Sequence, residues 1–120
     1  MVPSPKIQPD ELARLAVTTA SEKLASDIVI LDLIGVCDFT DFFIILSVES
    51  ARQMNAITED IQVSIESQNV KLHHREGDAN SGWILLDFGD LIVHIFSPEQ
   101  REYYDIESAW DQGTETDRIQ

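Results

Sequence analysis

The sequence predicts an α/β protein of the α+β kind, a mixed sheet of about five strands with helices packed mainly on one face. Three observations predict it. Two apolar runs, "DIVILDL" at 27–33 and "FFIILS" at 42–47, are too short for helices and too apolar for strands with one wet face. On either side of this pair lie segments with apolar residues at helical spacing. The stretch "GWILLDFGDLIVHIF", residues 82–96, alternates about a Gly-Asp pair as a hairpin does. The resulting order, α-β-β-α-β-β-β-α, sets helices against a small mixed sheet.

Taken in order, Pro3, Pro5 and Pro9 make residues 1–9 an extended lead-in, and a single domain is expected over residues 10–110. Asp10 is expected to cap a helix that carries Leu12, Leu15, Ala16 and Thr19 on one face and runs to about Leu24. The first apolar run is then a central strand, "IGVCDFTD" a loop, and the second run another buried strand. Ser50 and Gln53 match a capping box that opens a helix with Met54, Ile57, Ile61 and Ile65 as its stripe, ending near residues 68 and 69. "VKLHHRE" is a more polar strand at an edge, and "GDANSG" a turn-rich loop. After the hairpin, the Ser-Pro-Glu start of "SPEQREYYDIESAW" opens one last helix. Residues 111–120, "DQGTETDRIQ", are expected to be a tail.

At 120 residues there is room for one domain, and 43% hydrophobic with 25% charged residues excludes bulk disorder. No apolar run approaches the ~20 residues that span a bilayer. "MVPSPKIQP" lacks the apolar core of a secretion signal and the Arg-rich pattern of a transit peptide. The single cysteine, Cys37, rules out an internal disulfide and suits a reducing compartment. A cytoplasmic location is expected. Eight Lys and Arg against 22 Asp and Glu give a net charge of −14, which a phosphate backbone repels. Direct, sequence-specific recognition of nucleic acid is therefore not expected. The charge serves solubility alone or a partner with a basic face.

With Gly89 at the first central position of a two-residue turn, the hairpin register follows. Phe88 faces Leu91, Asp87 faces Ile92, Leu86 faces Val93, Leu85 faces His94, Ile84 faces Ile95, and Trp83 faces Phe96. One side of the hairpin is wholly apolar and is core. The other carries Trp83, Leu85, Asp87, Ile92, His94 and Phe96. Two readings of this mixed side stand: another molecule reads it, or a neighbouring segment of the same chain covers it. The candidate partner-binding residues are Trp83, Leu85, Asp87, His94 and Phe96. Tyr103 and Tyr104 are expected to extend the surface, with the last helix turning one of them into the core.

Enzyme chemistry fares worse. Asp32, Asp38, Asp41, Asp87 and Asp90 sit at expected strand ends, where metal-dependent phosphoryl transfer would want them. That chemistry needs carboxylates close together on one strand face, as in D-x-D, and a Gly-Ser turn to hold phosphate. Here "DFTD" and "DFGD" space them three apart, and no Gly-Ser pair occurs. Asp38 and Asp41 are expected to hydrogen-bond their own loop. His73 and His74 point to opposite sides of a strand and Cys37 is alone, so no zinc spacing exists. Neither catalytic residues, metal nor cofactor are expected.

The runs "DIVILDL", "CDFTDFFIILS" and "SARQMNAI", followed by "REGDANSGWILLDFGDLIVHIFSPEQREYYDIESAW", closely resemble the Iojap-like family of ribosomal silencing factors, RsfS. The likeness covers roughly residues 10–110. Its most specific parts are "TDFFII", "EG" at 76 and 77, the hairpin, and "REYYDIESAW". The resemblance implies a nucleotidyltransferase-like fold without the catalytic residues. It also implies binding to the fourteenth protein of the large ribosomal subunit, steric blocking of subunit joining, and lowered translation when nutrients are scarce. Several relatives form homodimers, so a second copy is an implied partner too. The competing function class is a nucleotide-binding or nucleotidyl-transferring enzyme on the same fold.

Overall fold

Within residues 7–119, which the computed structural model describes, the apolar runs become the middle of a six-stranded sheet. The elements in chain order are α1 (Pro9–Glu22), β1 (Ser26–Asp32), β2 (Phe42–Ser47), α2 (Ala51–Glu66), β3 (His74–Asp78), β4 (Trp83–Asp87), β5 (Leu91–Phe96), α3 (Pro98–Tyr104), α4 (Ile106–Ala109) and β6 (Thr114–Ile119). The strands lie in the order β3-β4-β5-β2-β1-β6. β2 and β5 run parallel, because the chain crosses one face through α2 before returning through the β4–β5 hairpin; the other neighbouring pairs are antiparallel.

α1 and α2 pack on one face. Leu12, Ala13, Ala16, Val17 and Ala20 of α1 and Met54, Ile57, Ile61 and Ile65 of α2 meet Ile30, Ile44, Leu46, Ile84, Leu86, Val93 and Ile95 from the sheet. Removing each of the Leu, Ile, Val and Met side chains from water contributes roughly 1.5–3 kcal/mol. Ser50 caps α2 by accepting the Gln53 N–H at 3.1 Å. The Gln53 side chain does not return to the cap residue. Its Oε1 accepts the Glu49 N–H at 2.7 Å, and its Nε2 donates to the carbonyls of Lys23 and Leu24 at the end of α1. One glutamine thereby ties the two helices together.

The opposite face is a thinner second core. Val29, Leu31, Phe43, Ile45, Ile92 and Phe96 from the strands pack with Leu33, Ile106 and Trp110. Among the described residues only the short helices α3 and α4 and the loops cover it, so helices lie mainly on one face, as expected.

Several expectations are corrected. The sheet has six strands because Thr114–Ile119, expected as a tail, pairs antiparallel with β1. An uncovered β1 would leave a row of backbone groups unpaired, and β6 supplies their partners. Pro9 is the first residue of α1 rather than part of a lead-in, which suits a residue with no N–H to satisfy. Residues 1–6 of that lead-in lie outside the described residues. Asp10 sits inside the first turn and makes no side-chain cap; Gln8 holds the cap position. β3 begins at His74, later than expected, and the last helix is broken at Asp105, whose φ of 46° stops it.

Candidate functional site

The hairpin register is the one the turn dictates, from Trp83 opposite Phe96 to Asp87 opposite Ile92. Phe88 N–H donates to the Leu91 carbonyl at 2.8 Å, and Gly89 takes φ +91°, which a side chain would resist. Asp87 Oδ1 accepts the Gly89 N–H at 2.8 Å, so this carboxylate builds the turn. Of the loop carboxylates, Asp32 plays the same part by accepting the Ile34 N–H at 2.9 Å. Asp41 joins its loop through main-chain bonds to Leu33 and Asp90, not through the side-chain bond expected of it.

The same-chain reading of the mixed side holds for part of it, and the rest stays open to solvent. His94 is 3% exposed and Phe96 0%, so these two candidates do not form a surface. Phe43, Trp110 and the α3–α4 segment cover them, a packing that alternation within the hairpin cannot reveal. Trp83, Leu85 and Asp87 are half-buried. Tyr103 and Tyr104 are 77% and 48% exposed, and neither turns into the core, because the helix stops at Asp105 before its next turn.

The Trp83 ring is held on several sides. Its Nε1–H donates to His94 Nδ1 at 3.2 Å. It stacks on Phe96 with centroids 4.9 Å apart and meets Tyr104 at 4.6 Å. Because His94 Nδ1 accepts, the imidazole proton belongs on Nε2, which is buried without a hydrogen-bond partner among the described residues. Burial pushes the His94 pKa down from 6.5 to about 3, so the ring is neutral at physiological pH.

In front of Trp83 lies a groove of about 420 Å³ lined by Glu76, Gly77, Ser81, Trp83, Leu85 and Tyr104. Glu76, Gly77 and Ser81 were missed by reading the hairpin alone. Glu76 lies opposite Leu85 on β3, and its carboxylate meets His74 Nε2 at 2.9 Å. Gly77 has φ +82°, and a Cβ there would sit 2.0 Å from the Trp83 carbonyl oxygen. A glycine inside a strand signals such a close backbone approach. Asp78 and Ser81 cap the short turn at Ala79–Ser81 that walls one end.

The groove offers aromatic and aliphatic surface with one carboxylate at its edge. Such a site can desolvate a side chain of a binding partner and hold a cation beside it. Among the described residues, no group of three or more His, Cys, Asp and Glu is arranged to hold a metal ion, and no helix is long and apolar enough to cross a membrane.

The chain matches the family described as "Ribosomal silencing factor during starvation" over residues 6–120. It is 34% identical over 100 residues to the "Ribosomal silencing factor RsfS" of Halalkalibacterium halodurans, spanning 83% of this chain and 86% of that one. It is 38% identical over 118 residues to "Protein Iojap, chloroplastic" of Zea mays, spanning 93% of this chain and 51% of that protein. A crystal structure of a protein from Chromobacterium violaceum shares the fold, with a TM-score of 0.83, 30% identity and 88% of each chain covered. A second, from Bacillus halodurans, gives a TM-score of 0.75 at 34% identity over 84% of this chain and 94% of that one. Sequence likeness over nearly the whole length, on a shared fold, makes the chain a member of the RsfS, or Iojap-like, family of ribosomal silencing factors.

Proposed function

We propose that this chain works in the cytoplasm as a ribosomal silencing factor, by binding rather than by catalysis. It docks on the large ribosomal subunit through the fourteenth protein of that subunit. There it sterically blocks the small subunit and lowers translation when nutrients are scarce. The observation that carries the reading is the aromatic groove at Trp83 in a family member with a net charge of −14. Trp83, Leu85 and Tyr104 supply rigid apolar anchors. The acidic surface steers the chain toward a basic protein and away from the surrounding RNA. Binding is further supported by how the loop carboxylates are used, since Asp32 and Asp87 hold the backbone of their own turns.

The test is sedimentation of the protein with purified large subunits, small subunits and joined ribosomes. The protein should travel with free large subunits alone and, added before mixing, reduce the yield of joined ribosomes. Equal travel with both subunits, or with neither, would overturn the proposal. Nucleotide incorporation that vanishes in Asp38→Asn or Asp41→Asn would overturn its non-catalytic part.

A further inference from the structure

We infer that the loop between β1 and β2, residues 33–41, is a second docking surface, which takes an apolar side chain flanked by Lys or Arg on the same large-subunit partner. The inference rests on the proposed function and extends its contact surface beyond the Trp83 groove.

Ile34 is 60% exposed, Phe39 58%, and Val36 is exposed between them. Three large apolar side chains on one short loop leave a patch that, apart from the Phe39 contact with Trp110, nothing among the described residues covers. The loop is built to hold them out. Val36 and Cys37 N–H groups both donate to the Leu33 carbonyl at 2.9 Å, Leu33 N–H donates to the Asp41 carbonyl at 2.8 Å, and Asp32 takes the Ile34 N–H. A surface fixed in advance loses less conformational freedom on binding. Val36, Cys37 and Asp38 line a shallow hollow of about 430 Å³ against Trp110.

Two observations identify the occupant. The first is continuity with the groove. Phe39 packs on Trp110 at 5.8 Å, Trp110 on Phe43 at 5.6 Å, and Phe43 on His94 at 4.6 Å, and His94 accepts the Trp83 indole N–H. The patch and the groove are thus two exposed ends of one aromatic row on the same face of the sheet, and a single partner can span both. The second is charge. The loop and the end of β1 that leads into it carry Asp32, Asp38 and Asp41 and no Lys or Arg. An apolar patch whose own loop carries only negative charge favours a basic partner and disfavours a second acidic copy of this chain.

The experiment measures affinity for purified large subunits by wild type, Ile34→Ser/Val36→Ser, Phe39→Ser and Trp83→Ala, with thermal melts alongside. The Ile34→Ser/Val36→Ser variant changes exposed side chains, so it should melt like wild type and bind on the order of tenfold more weakly. Phe39→Ser should weaken binding similarly; its contact with Trp110 makes the double variant the deciding one if it melts early. Wild-type affinity in the double variant, together with weakened binding by Trp83→Ala, overturns this inference and leaves the proposed function standing. No binding by wild type overturns both. A wild-type dimer in sedimentation equilibrium that the double variant dissociates, with subunit binding unchanged, makes the occupant a second copy and also overturns it.

Discussion

Trp83 faces two ways. Its indole N–H and one ring face are engaged by His94 and Phe96 inside the chain, while the ring also lines the open groove beside Tyr104. Trp83→Ala should therefore lower both the melting temperature and the affinity for large subunits, the latter by about 2 kcal/mol. Leu85→Ala, which leaves that internal packing in place, should weaken binding with a smaller fall in melting temperature. Wild-type binding by both folded variants would show that the groove is not the contact. His94 provides a separate test through pH. Its folded pKa of about 3 lies below the unfolded value of 6.5, so the unfolded chain binds the extra proton between them. The stability contributed by keeping the ring neutral is complete above about pH 6.5 and is lost as pH falls toward 3, at up to about 1.4 kcal/mol per unit. His94→Gln keeps an acceptor for the indole but cannot titrate, so its stability should change less than that of wild type between about pH 5 and 6.5. Parallel urea midpoints across that range would refute the assignment. Sequence reading reached Trp83 and Leu85 as surface residues. It could not separate them from His94 and Phe96, because the cover arrives from Phe43 and Trp110, distant in the chain.

The elements that could be read were those with strong apolar periodicity. β2 spans the run read as a strand, the stripe of α2 is wholly buried, and the hairpin register follows from Gly89. β6 was not legible for the opposite reason. Thr114, Glu115, Thr116 and Arg118 give it no apolar signal, and it forms because the edge of β1 and a cluster of charges receive it. Arg118 pairs with Asp27, Glu107 and Glu115. Arg101 of α3, buried beneath, donates to Glu107 at 2.8 Å, to the Asp27 carbonyl at 2.6 Å and to Ser47 Oγ at 2.9 Å. The same acids thus join α3 and α4 to the start of β1 and the end of β6. Arg101→Met should cost about 3 kcal/mol, because it strips partners from groups held by a buried cation. A urea midpoint close to wild type would mean that Glu107 and Asp27 are fully served by Arg118. The break at Asp105 was equally hidden, since "YYDIE" carries neither Gly nor Pro.

At the scale of the molecule, the two faces of the sheet have different work. α1 and α2 bury one face under a thick layer, which makes it the rigid support. The other face is closed by two short helices and a loop, and the aromatic row running through it emerges at the groove. Net charge acts over longer distances than these contacts and affects the encounter more than the final complex. The charge could be read from composition alone, whereas the path of the aromatic row required the fold. If an acidic surface guides the groove to a basic ribosomal protein, added salt should slow association with the isolated fourteenth protein. Between about 50 and about 500 mM KCl the screening length falls from more than 10 Å to only a few ångströms. The association rate should then drop by on the order of tenfold, while the dissociation rate, set by the buried aromatic contacts, changes little. Stopped-flow measurement of Trp83 fluorescence reads both rates, with Trp110→Phe removing the second indole. Protein-free large-subunit RNA should give no signal at either salt concentration. An association rate insensitive to salt, or a complex with the bare RNA, would mean that the charge of −14 serves solubility alone and does not select the partner.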